Sequence, residues 1–254
     1  TKVLAYRELK PKSIFYIPVM LTHTCERVPY RLDRVFNLWK NMRAFGLVPV
    51  ESRFPPILLF RGTDFSLKSH SSHISIISNF DPAGPGFSIY LHARSSIKRW
   101  LDRVALREKP IVMGYSLGGA LASYALLKDG EYFSQLESSY LFNHPGFSEE
   151  AFALWKGLDE KKKPRVHAFV SDGDVVSKYG YLFDKTYGVK HTRALKPIKA
   201  HTLLLFLQPR VKTKLIDLDK ENRCASRQLY SKLHKNTTNI FFNIGLKLFL
   251  PSHE

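Results

Sequence analysis

Residues Gly114-Tyr115-Ser116-Leu117-Gly118 fit the pattern G-x-S-x-G. The chemistry this pattern serves is nucleophilic attack by a serine hydroxyl on an acyl carbon. A serine on a sharp strand-to-helix turn holds a strained backbone, and the positions two residues to either side must lack bulk for the turn to close. The turn lifts the hydroxyl above the sheet and aims the Leu117 N–H, at a helix N-terminus, at a developing oxyanion. The pentapeptide alone is a weak signal. Its context strengthens it: the apolar run IVMG (111–114) precedes it, and LGGALASYALLK (117–128), a helical pattern that opens with small residues, follows at once. The plain alternative is a structural turn with an incidental serine.

Elements able to position such a turn recur along the chain. ILLF (57–60) follows Pro55-Pro56, has the composition of a buried strand and ends in the turn RGT (61–63). Residues 92–107 read as a helix with Ile97, Trp100, Leu101, Val104 and Ala105 on one side, closed by Pro110. SSYLFN (138–143) reads as a strand, 148–157 as a helix, and RVHAFV (165–170) as a strand ending in SDGD. Upstream, Leu32, Val35, Phe36, Leu38, Trp39 and Met42 fall at helical spacing, with Gly46 as a C-terminal stop, so 30–45 is expected to be helical. Beyond Asp174 the pattern blurs: YGVKHTRAL is read as a last strand, and KAHTLLLFL as the start of a helix. Alternating strands and helices predict an α/β chain, a mostly parallel central sheet with helices on both faces. With 254 residues and 44% hydrophobic content, one domain over 1–254 is expected.

The resemblance then becomes specific. ILLFRGT resembles the strand and turn "FRG(S/T)" of the class 3 lipases. IVMGYSLGGALA resembles their "VTGHSLGGALA", with Tyr115 where His is usual. YLFNHPGFSEEAF resembles "tFG.P.vG...fa", and HAFVSDGDVVSKYG resembles "v.n..D.VP.lp", with Ser177 where Pro is usual. The four segments agree in order and spacing over about residues 56–180. The resemblance implies the α/β-hydrolase fold, with Ser116 as nucleophile and Asp174 as the triad acid. It also implies an oxyanion hole from the Thr63 backbone N–H, with its hydroxyl as a further donor, and the Leu117 N–H. Asp172 shares the turn with Asp174 and is the rival acid. Spacing after the strand favours Asp174, and the loser is a solvated turn residue.

The base should lie downstream, because chain order in this fold is Ser, acid, His. His201, just before the apolar TLLLF, is favoured, with His234 and His191 as alternatives. In the family the histidine likewise opens a terminal helix rich in apolar residues. The interval from Asp174 to His201 is shorter than in the fungal members. His167 precedes the acid within a strand and is read as a packing residue, His253 stands at the C-terminus, and His144 is read as structural.

The reaction expected is hydrolysis of carboxylic esters, of lipids above all, through an acyl-enzyme, with no metal or cofactor required. Residues 64–90 occupy the place of the family's lid, with the apolar island ISII (74–77) inside a Ser-, Asn- and Pro-rich stretch. The alternative there is an ordinary surface loop. Net charge is +17, and residues 185–254 carry 14 Lys/Arg against 4 Asp/Glu, so the basic segment 205–254 has an uncertain role. An anionic membrane surface is one candidate partner and a solvated face the plain alternative. No zinc-finger, RNP or basic-zipper pattern is present, and nucleic acid is not expected. The two cysteines, Cys25 and Cys224, are read as free thiols rather than as a staple or a zinc site. No signal peptide is expected at 13–21, an apolar run that is short and contains Pro18, and no run is long enough to span a bilayer. The apolar run 240–250 is read as a core element, with an interfacial role as the minority reading. Two rival functions remain: a lipase-like module without turnover that binds lipid or a protein, and another acyl chemistry such as thioester hydrolysis.

Overall fold

The computed structural model describes residues 11–20, 25–38, 42–62, 84–191, 195, 197–207 and 211–223. Among the described residues nine strands form one sheet, and their spatial order follows the sequence. β1 (Ile14–Met20), β2 (Cys25–Asn37) and β3 (Arg43–Pro49) form an antiparallel meander, and β3 runs antiparallel to β4 (Ile57–Phe60). β4, β5 (Ile111–Tyr115), β6 (Ser138–Phe142), β7 (Arg165–Ser171) and β8 (Lys185–Lys190) are parallel. β9 (Lys212–Leu215) closes the edge antiparallel to β8. The sheet is therefore mixed. The expected parallel character belongs to its centre, and the remaining four of its eight pairings are antiparallel.

The helix expected over 30–45 is not formed; those residues lie in β2 and β3, with 39–41 outside the described residues. The reason is a β-bulge between Leu32 and Arg34, which leaves Asp33 as the extra residue. The bulge reverses the two faces of the strand. Val28, Tyr30 and Leu32 enter one core cluster, while Phe36 and Leu38, of the same parity, enter the other. An interrupted period of two thus counterfeits the three-and-four spacing of a helix. Gly46 is no helix stop: it pairs with Arg34 and Leu58, and a Cβ there would meet the Trp100 ring at 2.6 Å. The bulged Asp33 accepts the Trp100 indole N–H at 2.8 Å and pairs with Arg103.

Among the described residues three helices cross between the parallel strands: α1 (Phe87–Val104), α2 (Leu117–Lys128) and α3 (Glu149–Lys156). Gly86, at φ 78°, turns the chain into α1, which begins five residues earlier than the pattern suggested and takes up the last four residues of the lid candidate 64–90. Residues 64–83 of that candidate lie outside the described residues. Ile89, Tyr90, Ala93, Ile97, Trp100, Leu101 and Val104 line the buried side of α1. α2 is buried nearly all round because α1 and α3 both flank it on the sheet. Ser148 caps α3, its Oγ accepting the Ala151 N–H at 3.2 Å.

Every buried apolar residue of these three helices falls in one core cluster with Leu58, Phe60, Val112, Leu141, Val166 and Ala168. The second cluster, which holds Ile57 and Ile111, contains no helical residue. Right-handed crossovers between consecutive, adjacent strands put their helices on one side. The expected cover on both faces therefore holds only in reduced form. On the other face the 3₁₀ turn Leu203–Leu207 brings Phe206 edge-on against Phe142, ring centres 5.2 Å apart. The helix expected to start at KAHTLLLFL is split into α4 (Pro197–Ala200) and that 3₁₀ turn, with His201 in the break. α5 (Leu218–Asn222) ends the described chain, and the rest of the basic segment 205–254, with the run 240–250, lies outside it apart from 205–207 and 211–223. Among the described residues no helix is long and apolar enough to cross a membrane.

Candidate active site

Ser116 sits at the abrupt passage from β5 to α2. Its backbone, at φ 56° and ψ −130°, lies in a region L-residues rarely occupy, at a cost on the order of 1–3 kcal/mol. Two contacts show why glycines surround it. A Cβ at Gly114 would come within 2.4 Å of the Gly118 carbonyl oxygen, and one at Gly118 within 2.5 Å of Phe60 O. The Ser116 N–H is anchored to Phe142 O at 3.0 Å, and its side chain makes no capping bond to α2. The hydroxyl is thus left for other work. Leu117 opens α2, so its N–H is among the helix's first four, which have no carbonyl one turn back to bond.

Asp174 stands in the turn that leaves β7, closed by its N–H to Ser171 O at 3.1 Å with Gly173 at φ 82°. Its carboxylate accepts the Val176 N–H (3.1 Å) and the Ser177 N–H (3.2 Å), which fixes its rotamer at the head of the 3₁₀ turn Val176–Lys178. Asp172, two residues earlier, is exposed.

His201 joins the two. Its Nε2 is 2.8 Å from Ser116 Oγ and its Nδ1 is 2.9 Å from Asp174 Oδ1. The neutral tautomer protonated at Nδ1 satisfies both contacts, donating to the carboxylate and accepting from the hydroxyl. All three side chains are shut away from solvent, the residues being 2%, 1% and 7% exposed for Ser116, Asp174 and His201. Burial strengthens each of these polar contacts.

The other residues singled out by sequence fall elsewhere. Thr63 and His234 lie outside the described residues, as does His253. His191 follows β8, and among the described residues neither of its buried ring nitrogens has a hydrogen-bond partner. His167 lies within β7, stacked on Tyr187; burial, then the Lys185 charge, holds its pKa below the usual value. His144 is fully buried against Phe183, its Nδ1 2.7 Å from Pro145 O. Among the described residues no cluster of three or more His, Cys, Asp and Glu side chains is disposed to hold a metal ion.

Sequence reasoning missed Asn143. It follows β6 at φ 42°, fully buried, with its Oδ1 accepting the Ser171 N–H at 2.7 Å and its Nδ2 donating to Ala200 O at 3.0 Å. The available signal was the dipeptide Phe142-Asn143, which stands where the pattern "tFG.P" carries glycine. Tyr115, noted only as a departure, has its ring stacked on His201 at 5.2 Å, and its hydroxyl donates to the His201 carbonyl.

The solved structures similar to this chain include MDLA from Penicillium cyclopium, a point mutant. It aligns with a TM-score of 0.51 and 17% identity, over 78% of this chain and 73% of that one. They also include Rhizomucor miehei lipase, a deletion mutant in complex with its propeptide (TM-score 0.48, 18% identity, 64% of this chain), and Rhizopus niveus lipase II (TM-score 0.44, 17% identity, 63% of this chain and 67% of that one). The match takes in 56% of the Rhizomucor chain's length. At 17% identity, the likeness to the Penicillium protein shows a shared fold. No curated protein matches the chain in sequence. The Mbeg1-like family model matches residues 55–235, more than half of the sequence and the whole of Ser116, Asp174 and His201's setting, and the chain belongs to that Mbeg1-like family.

Proposed function

We propose that the chain is a serine hydrolase of carboxylic esters, with acyl lipids as its substrate class, on an α/β-hydrolase fold related to that of the class 3 lipases. The observation that carries the reading is the line of contacts Ser116 Oγ–His201 Nε2 (2.8 Å) and His201 Nδ1–Asp174 Oδ1 (2.9 Å) behind a strained strand-to-helix turn. In this reading Ser116 Oγ attacks the ester carbonyl carbon while His201 Nε2 takes its proton, and Asp174 stabilises the imidazolium. The N–H groups of Leu117 and Thr63 receive the oxyanion, each donor worth about 3–4 kcal/mol. His201 then passes the proton to the departing alkoxide, leaving an acyl-serine. Water, deprotonated by the same imidazole, cleaves it to the carboxylic acid and restores Ser116. The part of segment 64–90 that precedes α1 serves as the lid over the acyl site, within one domain spanning 1–254. The basic C-terminal segment draws the enzyme to anionic membrane surfaces, a contact that salt screens.

A fluorophosphonate probe tests the reading directly. Labelling at Ser116, with hydrolysis of a nitrophenyl acyl ester abolished in a folded Ser116→Ala variant, is expected. A chain that neither labels nor turns over is instead a lipase-like module that binds lipid or a protein partner. Unchanged turnover in Ser116→Ala removes Ser116 as the nucleophile.

A further inference from the structure

Two side chains that the proposed reaction does not use hold consecutive carbonyl groups of the histidine's own segment. Asn143, at the end of β6, donates from Nδ2 to Ala200 O at 3.0 Å, and Tyr115, at the end of β5, donates its hydroxyl to His201 O. The same Asn143 amide accepts the Ser171 N–H at 2.7 Å, at the start of the turn that closes on Asp174. One fully buried side chain therefore spans from the segment bearing the carboxylate to the segment bearing the imidazole. Its own backbone is tied down by its N–H to Phe169 O at 2.8 Å. Tyr115 adds a second restraint, its ring stacked on the imidazole at 5.2 Å and 29°.

We infer that Asn143 is a positioning residue, with Tyr115 as its second arm, that sets the separation and orientation of His201 relative to Asp174 and Ser116. Three features argue for it. Asn143 holds φ 42°, a conformation glycine would adopt without strain, so the amide is kept against a backbone cost. Its amide bonds both backbone partners at short distance, and a buried amide that lost either would leave a group unsatisfied. The α4 helix preceding His201 has only four residues and cannot by itself hold a side chain rigidly.

The catalytic consequence rests on the serine-hydrolase reading; the geometric one does not. The test uses Asn143→Gly, which fits φ 42° and removes the amide. It also uses Asn143→Asp, which keeps an acceptor for Ser171 N–H but cannot donate to Ala200, and Tyr115→Phe, which keeps the ring and loses the hydroxyl. The first readout is nitrophenyl acyl ester hydrolysis, with kcat and KM separated. The second is the low-field proton NMR signal of the His201 Nδ1–H, assigned by its loss in His201→Ala. A small misplacement of the base lowers the rate about 10–100-fold. The expected result is that kcat falls by this factor in both Asn143 variants and less in Tyr115→Phe, with KM little changed and the low-field signal broadened or lost. Folded Asn143→Gly with the wild-type kcat and signal would overturn the proposal, and wild-type values in Asn143→Asp would overturn the Ala200 arm. Should Asn143→Gly fail to fold, the other two variants decide by the same criteria. If the wild-type chain neither labels nor turns over, the hydrolase reading fails and the NMR signal alone decides the clamp: lost in the Asn143 variants it stands, retained it falls.

Discussion

Gly118 lies directly on the backbone of Arg61: a Cβ at position 118 would stand 2.6 Å from the Arg61 carbonyl oxygen. The contact joins the first turn of α2 to the end of β4, where the chain leads on to Thr63. Gly118→Ala has to part these segments, because neither neighbour is a flexible side chain. Ester hydrolysis is expected to fall by at least about 10-fold, with an overpacking cost of about 1–3 kcal/mol. Thermal unfolding and kcat measured on the same preparation check this; an unchanged rate would show that the two segments need not touch.

Asp174→Asn keeps the shape of the turn but offers an amide where His201 Nδ1 needs an acceptor. A fall in kcat on the order of 10⁴ is expected, with little change in stability. Asp172→Asn, on an exposed residue of the same turn, is expected to retain activity. Steady-state kinetics on both variants separate the two carboxylates, and equal losses would contradict the geometry.

Much of this site was legible in the sequence because its parts are local. The strained turn around Ser116 is written in five consecutive residues, and Asp174 follows a strand recognisable from its composition. His201 stands out from His234 and His191 because it opens an apolar run, and its imidazole lies within hydrogen-bond distance of Ser116. Asn143 was not legible: its importance lies in reaching Ser171 and Ala200, 28 and 57 residues away, and no local pattern encodes that reach. The N-terminal meander was misread because the bulge at Asp33 breaks the alternation of β2 midway and sends its two halves to different cores.

Away from the site, Asp129 is fully buried, ion-paired to Arg94 at 2.8 Å and accepting the hydroxyl proton of Tyr90. Arg94 is itself 40% exposed, so solvent screens part of the pair. Removing it leaves a buried carboxylate with one partner fewer. Arg94→Ala is expected to cost about 2–3 kcal/mol and to lower Tm by about 5–10 °C. Arg94→Lys, which keeps the charge but not the fork, is expected to lose less. Calorimetry on the two variants decides, and an unchanged Tm in Arg94→Ala would mean that Tyr90 alone satisfies the carboxylate.

Alkaline stability follows from two buried phenols. Burial, then the charges of Glu108 and Glu137, pushes the Tyr30 pKa up to about 12 from its ordinary 10. Burial and then Asp129 push Tyr90 well above its ordinary value. Folded protein keeps both protons where the unfolded chain releases them, so their contribution is complete below pH 10; the Tyr30 share is lost as pH rises toward about 12. Tyr30→Phe removes the Tyr30 share: its denaturation midpoint is expected to fall less steeply between these pH values. A slope equal to that of the wild type would assign the alkaline loss to other groups.

Because the nine strands lie side by side in the order in which they are made, each new one adds to a single growing border. During translation no early strand waits for a distant late one to fill a gap between neighbours, which keeps loop-closure distances short. Among the described residues the last strand at that border is β9, which carries Lys212 and Lys214 and is exposed along its length. Charged side chains on an edge strand discourage another chain from continuing the ladder, so Lys212 and Lys214 work against extension of the sheet into a fibre.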